Sequence, residues 1–172
     1  MIICGLDPGT ATTGFGIVYA GEENLNVLDY GLIETSKDGS TSNRLLDIYN
    51  KVNEVLKRFN PDIVVIEKVF FATNAKTAIG VGQAQGVMFL SSAMAKISVA
   101  EYAPGTIKKV VTGDGRADKK MVQIFVRKIL GSKVKSKKGE KTHFDNSADA
   151  LAIAICHAYK MNLGIGGDNN EG

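Results

Sequence analysis

Asp7 closes the apolar run Ile2-Ile3-Cys4-Gly5-Leu6 and is followed at once by Pro8-Gly9-Thr10. Glu67 closes a second run, Ile63-Val64-Val65-Ile66, and Asp149 stands one turn inside a polar opening, Asp145-Asn146-Ser147-Ala148-Asp149, that leads into Ala150 to Ile155. Alone, an Asp-Pro-Gly is an ordinary turn, and Asp145 reads as a helix cap that also suits the helix dipole. A carboxylate closing four β-branched residues is different, because its charge is costly to bury unless it is paired or bound to a cation. Lys68, next in sequence, points to the opposite face of a strand and is not its obvious partner. On a helix Asn146 and Asp149 are three apart and Asp145 and Asp149 four, so each pair shares a face with Cβ atoms about 5 to 6 Å apart.

Hard divalent cations choose oxygen ligands, and Mg²⁺ takes one or two carboxylates and leaves its other positions to water and substrate phosphate. Three or four carboxylates can hold two ions about 3.5 to 4 Å apart, which activate an attacking water and neutralise the leaving oxygen in phosphodiester hydrolysis without a His or Cys nucleophile. The chain has only two histidines and two cysteines, at spacings that match neither a zinc site nor a disulfide framework. Spacing alone does not bring the acids together; the elements that carry them must.

Ile2 to Asp7, Gly14 to Tyr19 and Asn26 to Glu34 read as a three-stranded opening meander. Leu45, Ile48, Val52, Val55 and Phe59 recur at helical spacing until Asn60-Pro61, and Ile63 to Ile66 reads as a strand covered on both faces. Asn74 to Ala95 is helix-like yet holds Gly80, Gly82 and Gly86, each costing about 0.5 to 1 kcal/mol in a helix interior. Close backbone approach to an internal neighbour or to a second subunit would offset that cost. Ser98 to Tyr102 is a further strand, Asp118 to Leu130 a helix with Met121, Ile124, Phe125, Ile129 and Leu130 as its core stripe, Gly131 to Thr142 a lysine-rich loop, and Asn146 to Tyr159 a closing helix. Residues 1–160 are expected to form one domain and 161–172 a flexible tail.

Lysine and arginine exceed aspartate and glutamate by three, 21 against 18, too small a balance to identify a nucleic-acid binder. Its distribution says more. Lys108 to Lys141 holds 12 basic and 3 acidic side chains, a local +9, while the remainder holds 9 and 15, a net −6. The two readings are a solvated surface and a phosphate-binding rim beside an acidic site. No apolar run approaches the roughly 18 residues of a membrane span, and the first residues lack the basic start and long apolar stretch of a secretory signal. The expected location is the cytoplasm, with no membrane partner.

Taken in order, Gly5-Leu6-Asp7-Pro8-Gly9-Thr10, Thr13-Gly14-Phe15-Gly16, Ile66-Glu67-Lys68-Val69-Phe70-Phe71, Gly82-Gln83-Ala84-Gln85-Gly86 and Ala148-Asp149-Ala150-Leu151-Ala152-Ile153-Ala154 resemble the RuvC family of Holliday junction resolvases. The match runs from Ile2 to about Tyr159. The resemblance implies an α/β chain of ribonuclease H-like fold, with a mixed five-stranded sheet of three antiparallel strands and then two parallel ones, flanked by helices. It further implies a homodimer that resolves four-way DNA junctions by paired nicks in recombination and repair, with two Mg²⁺ per active site, or Mn²⁺, and a branch-migration helicase complex as partner. Asp7, Glu67 and Asp149 fall on the family's metal-binding acids. Asn146 stands where the family pattern has an acid or a histidine, and an amide brings no negative charge and is a much poorer base, so cleavage is expected to be slowed or lost. Asp145 and His143 are the candidates to compensate. Phe70 matches an aromatic that resembles a wedge at the crossover, Lys108 and Lys119 match basic positions near the cleaved strand, and Lys76 lies nearby. Gln85 stands where the family often has arginine, and the helix from Asn74 resembles the family's dimer helix.

Three other readings compete. A junction-binding dimer without cleavage follows from Asn146. A ribonuclease H-like processor of ribosomal RNA precursors shares the Asp-Pro-Gly start but not the aromatic after the glutamate or the long basic segment. An ATP-using domain of the sugar kinase and actin type would need two such domains, more than 172 residues supply.

Overall fold

The computed structural model describes residues 1–36, 39–69, 75–131, 134 and 141–164, with the side chains of residues 75–76 and 141–146 outside that description. Strands β1 (Ile2–Asp7), β2 (Thr12–Ala20) and β3 (Leu25–Glu34) form the antiparallel meander. Helix α1 (Thr41–Phe59) follows, capped by the Ser40 side chain, which accepts from the Asn43 N–H, and ended by Asn60 in the left-handed region at φ 42°. Asparagine tolerates that conformation and the following proline forbids a further turn. Strand β4 (Ile63–Glu67), helix α2 (Ala75–Met94) and strand β5 (Ser98–Tyr102) come next, then α3 (Pro104–Thr112), α4 (Lys119–Leu130) and α5 (Lys141–Lys160). The sheet order is β3-β2-β1-β4-β5, with β4 parallel to β1 and β5 parallel to β4, the mixed five-stranded sheet that was expected.

Side chains alternate across a strand, and here the alternation sorts the core into two layers. Cys4, Leu6, Ile17, Val64 and Ile66 pack with Ile48, Val52 and Leu56 of α1 and with Ala84 and Met88 of α2. Ile3, Val18 and Val65 face the other way, onto α5, which is covered in turn by α3 and α4. Asp7 shares the parity of Ile3, and Glu67 that of Val65, so both acids belong to the α5 face.

Four sequence expectations change. Pro104–Thr112 is a helix that the pattern reading omitted; Pro104 begins it and Gly113 ends it at φ 85°, a Pro-first, Gly-last signature in a segment too short to show a long period. On α4 the core stripe is Val122, Val126 and Leu130, while Met121 and Ile124 are exposed. Apolar residues cover more than half of that helix, so spacing alone left its rotation open. Helix α5 begins at Lys141 rather than Asn146, which places Asp145 inside the helix instead of at its cap. The fourth change concerns the expected tail: Leu163 packs against the core, and the Gly164 N–H donates to the Gly21 carbonyl at 2.9 Å. Leu163 and Gly164 thus belong with the core and the β2–β3 hairpin.

Candidate active site

In the parallel β1–β4 pair Leu6 stands opposite Ile66, so Asp7 and Glu67, the next residues, leave adjacent strands at the same level. Neighbouring strands lie about 4.7 to 4.9 Å apart, which brings two like charges close together. The turn after Asp7 is fixed by side chains. Thr13, fully buried, donates its Oγ1 proton to the Gly9 carbonyl at 2.8 Å, and Thr35 Oγ1 donates to the Thr10 carbonyl at 2.8 Å. Gly80 of α2 abuts Thr10, where an added Cβ would lie 3.2 Å from Thr10 Cγ2. Glu67 is held from α2 as well, for Gln85 Nε2 donates to the Glu67 carbonyl at 3.2 Å and to Glu101 Oε1 at 3.1 Å. The sequence marked Gln85 only as a departure from the family's arginine. Its contact with Glu67 links segments 18 residues apart, which no local pattern discloses.

Asp149 arrives from above. The backbone of α5 rests directly on β1 and β2 at Gly5 and Gly16: a Cβ on Gly16 would lie 2.8 Å from the Leu151 nitrogen, and one on Gly5 would collide with the Ala150 carbonyl oxygen. Only glycine permits this approach. It sets the part of α5 that follows Asp149 over the strands that carry Asp7 and Glu67.

The electrostatics record the convergence. Burial, then the charges of Glu67 and Asp149, push Asp7 from 3.8 up to about 7, with Lys119 acting the other way. Burial and the Asp149 charge push Glu67 from 4.5 up to about 7, relieved in part by Lys108. Lys119 Nζ lies 3.2 Å from Asp149 Oδ2, the two side chains 52% and 33% exposed. Lys108 on α3 thus acts on Glu67, and Lys119 on α4 acts on Asp7 and Asp149.

Five residues singled out in the sequence thus come to one end of the sheet: Asp7, Glu67, Asp149, Lys108 and Lys119. Phe70 lies outside the described residues, as do the side chains of Lys76, Asn146, Asp145 and His143. The α5 backbone is continuous through Asn146 and carries it three residues before Asp149.

Among the described residues no three acidic, histidine or cysteine side chains close into a ready-made cage. The donor set nevertheless fits a hard divalent cation. It is all oxygen, and two of its carboxylates are held near neutrality by burial and mutual repulsion, a cost that added positive charge removes.

The family model described as "Crossover junction endodeoxyribonuclease RuvC" matches residues 3–157. A curated protein of that name from Alkaliphilus oremlandii is 44% identical over 163 residues, covering 95% of this chain and 96% of its own. Its counterpart from Syntrophomonas wolfei is 40% identical, covering 95% and 91%. The solved structure of Thermus thermophilus RuvC in complex with Holliday junction substrate superposes with a TM-score of 0.82 at 32% identity, over 94% of this chain and 95% of that one. With one family matching in sequence and in fold over nearly the whole length, the chain belongs to the RuvC family of crossover junction endodeoxyribonucleases.

Proposed function

We propose that the chain is a structure-selective endonuclease that resolves four-way DNA junctions by paired symmetric nicks, in homologous recombination and repair. The convergence of Asp7, Glu67 and Asp149 at one end of the sheet, with Lys108 and Lys119 beside them, carries this reading. Asp7, Glu67, Asp149 and the Asn146 amide would hold two Mg²⁺, or Mn²⁺, which supply activation of the attacking water and neutralisation of the leaving oxygen. The chain's own part is to orient and to attract. Asp7 and Glu67 are fixed by the strands and by the Thr13, Thr35 and Gln85 contacts, and Lys108 and Lys119 draw the phosphate backbone over them. Phe70 and Lys76 would act at the crossover, where stacking on an unpaired base is worth about 1 to 3 kcal/mol.

Paired nicks need two sites related by a twofold axis, which a homodimer supplies. The outer face of α2, with exposed Ile79, Leu90 and Met94 beside Gly82 and Gly86, is the surface we assign to it. A branch-migration helicase complex is the partner that would present the junction, and residues 1–160 the unit that cuts it. Among the described residues no helix is long and apolar enough to cross a membrane.

One feature favours a second reading. With Asn146 in place of an acid, the protein binds junctions and cuts them slowly or not at all. The test is incubation with a synthetic four-way junction and a matched duplex, with and without Mg²⁺. Metal-dependent paired nicks in the junction alone are expected. A retained but uncut junction selects the second reading, and equal binding of junction and duplex overturns both.

A further inference from the structure

We propose that Lys119 is the resident cation of this site: its ammonium holds the place beside Asp149 that a divalent ion takes, so that Lys119 yields Asp149 and turns to the DNA phosphate in one linked exchange. The inference rests on the reading of the acids as metal ligands and goes beyond it, because it assigns Lys119 a part in metal affinity as well as in DNA contact.

Lys119 is the first residue of α4, and the cap that precedes it is firm, with Asp118 Oδ1 accepting from the Met121 N–H at 2.7 Å. Val122, Val126 and Leu130, three, seven and eleven residues on, pin the same side of α4 against the α5 layer. The root of Lys119 is thereby fixed beside α5, while its four-carbon stem has several rotatable bonds. The ammonium stands 3.2 Å from Asp149 Oδ2 with about half of the side chain in solvent, and its field reaches Asp7 as well. It is thus a positive charge among acids that otherwise repel one another. An exposed ion pair of this kind shifts an equilibrium constant by only about fivefold at most. A divalent ion, with twice the charge and several oxygen ligands, displaces it readily. Once displaced from Asp149, Lys119 turns to the DNA phosphate from within the basic stretch that begins at Lys108. Linkage then makes the exchange reciprocal: whatever removes Lys119 from Asp149 favours metal, and metal favours Lys119 on phosphate.

The test titrates Mn²⁺ calorimetrically into the full chain at low ionic strength, comparing the parent with Lys119→Met, Lys119→Arg and Asp7→Asn. Lys119→Met should bind Mn²⁺ about two- to fivefold more tightly, Lys119→Arg should stay near the parent, and Asp7→Asn should bind more weakly. Junction affinity is measured alongside. Lys119→Met should lose more junction affinity in Ca²⁺ than in EDTA, because the metal-free parent has its ammonium on Asp149. Unchanged or weaker Mn²⁺ binding by Lys119→Met, with Asp7→Asn still impaired, overturns the exchange and leaves the metal reading intact. Mn²⁺ binding that ignores Asp7→Asn, or that is absent in the parent, overturns the metal reading and the exchange together.

Discussion

Helices α2 and α5 are both 20 residues long and both rich in small residues, yet they use them in opposite ways. In α5 every residue from Ala150 to Ala158 is buried, sandwiched between the meander on one side and α3 and α4 on the other. The glycines that permit its close approach lie in the sheet, at Gly5 and Gly16. In α2 the glycines lie in the helix itself, and among the described residues a Cβ on Gly82 or Gly86 would meet nothing within 4 Å. One side of α2 is core, through Ala84, Met88, Ser91 and Ser92, while Ile79, Leu90 and Met94 on the other are 65%, 54% and 62% exposed. The contrast teaches where each helix finds its stabilisation. Helix α5 finds it within the chain and so can aim Asp149, whereas α2 carries a cost at Gly82 and Gly86 that no neighbour among the described residues offsets.

The largest effect should come from closing the α5 contact. In Gly5→Ala the new methyl meets backbone on α5 rather than a yielding side chain, and forcing helix and sheet apart should cost about 3 kcal/mol or more. Urea unfolding of Gly5→Ala and Gly86→Ala measures the contrast, the first losing stability and the second not. Equal midpoints would mean that α5 does not rest on β1 as described.

Beneath α5 the acids themselves oppose folding. Burial and neighbouring charge hold Asp7 and Glu67 at about 7, against 3.8 and 4.5. The unfolded chain therefore releases these protons near pH 4 and the folded chain near pH 7. Their contribution to stability is complete below about pH 4 and is lost as pH rises through 7. Metal-free melting temperatures should fall from pH 5 to 8, and Asp7→Asn should flatten that fall. At pH 8 the Asn variant should gain about 1 to 2 kcal/mol, or roughly 2 to 8 °C, while losing cleavage. A variant that melts below the parent at pH 8 would show that Asp7 is paired rather than repelled.

At the start of α5 the comparison bears on chemistry. On the proposed reading, Asp7, Glu67 and Asp149 would bring three formal negative charges to two ions carrying four positive ones, and Asn146 would add none. Asn146→Asp should raise single-turnover cleavage at least about tenfold, which is about 1.4 kcal/mol in the barrier. The measurement runs across a Mg²⁺ titration with junction binding followed separately in Ca²⁺. Equal rates at every metal concentration would move attention to Asp145 or His143.

Much of this was legible because it is written locally. Strand alternation and the Pro-Gly turn placed Asp7 and Glu67 at strand ends, and Asn60-Pro61 stopped α1 where the structure stops it. That two parallel strands join the antiparallel meander in one sheet came from the family resemblance, not from periodicity, since pairing is not a local property. The rotation of α4 was misread because both of its faces carry apolar residues at helical spacing, and only packing against α5 chooses between them. The Gln85 contact with Glu67 and the Lys119 pair with Asp149 join segments 18 and 30 residues apart, so neither leaves a mark in the pattern. Gly5 and Gly16 were quoted inside motifs without their purpose, which exists only once α5 lies across them.

The smallest effect is the most discriminating for α2. In a monomer, Gly82→Ala and Gly86→Ala should each add about 0.5 to 1 kcal/mol, because alanine loses less backbone entropy in a helix and the new methyl meets no neighbour among the described residues. At a close helix–helix contact across a twofold axis the same methyl appears twice and separates the backbones, so association should weaken. The two effects have opposite signs and different concentration dependence, since a dimer's apparent stability rises with protein concentration and a monomer's does not. Sedimentation equilibrium with melting curves at two concentrations about a hundredfold apart separates them. At the low concentration the variants should melt at or above the parent, and at the high one the parent should regain ground because only it dimerises tightly. If alanine raised the melting temperature equally at both concentrations and left the sedimentation profile unchanged, Gly82 and Gly86 would lie outside the dimer contact. The cost of keeping glycine in α2 would then need an occupant other than a second copy of this chain.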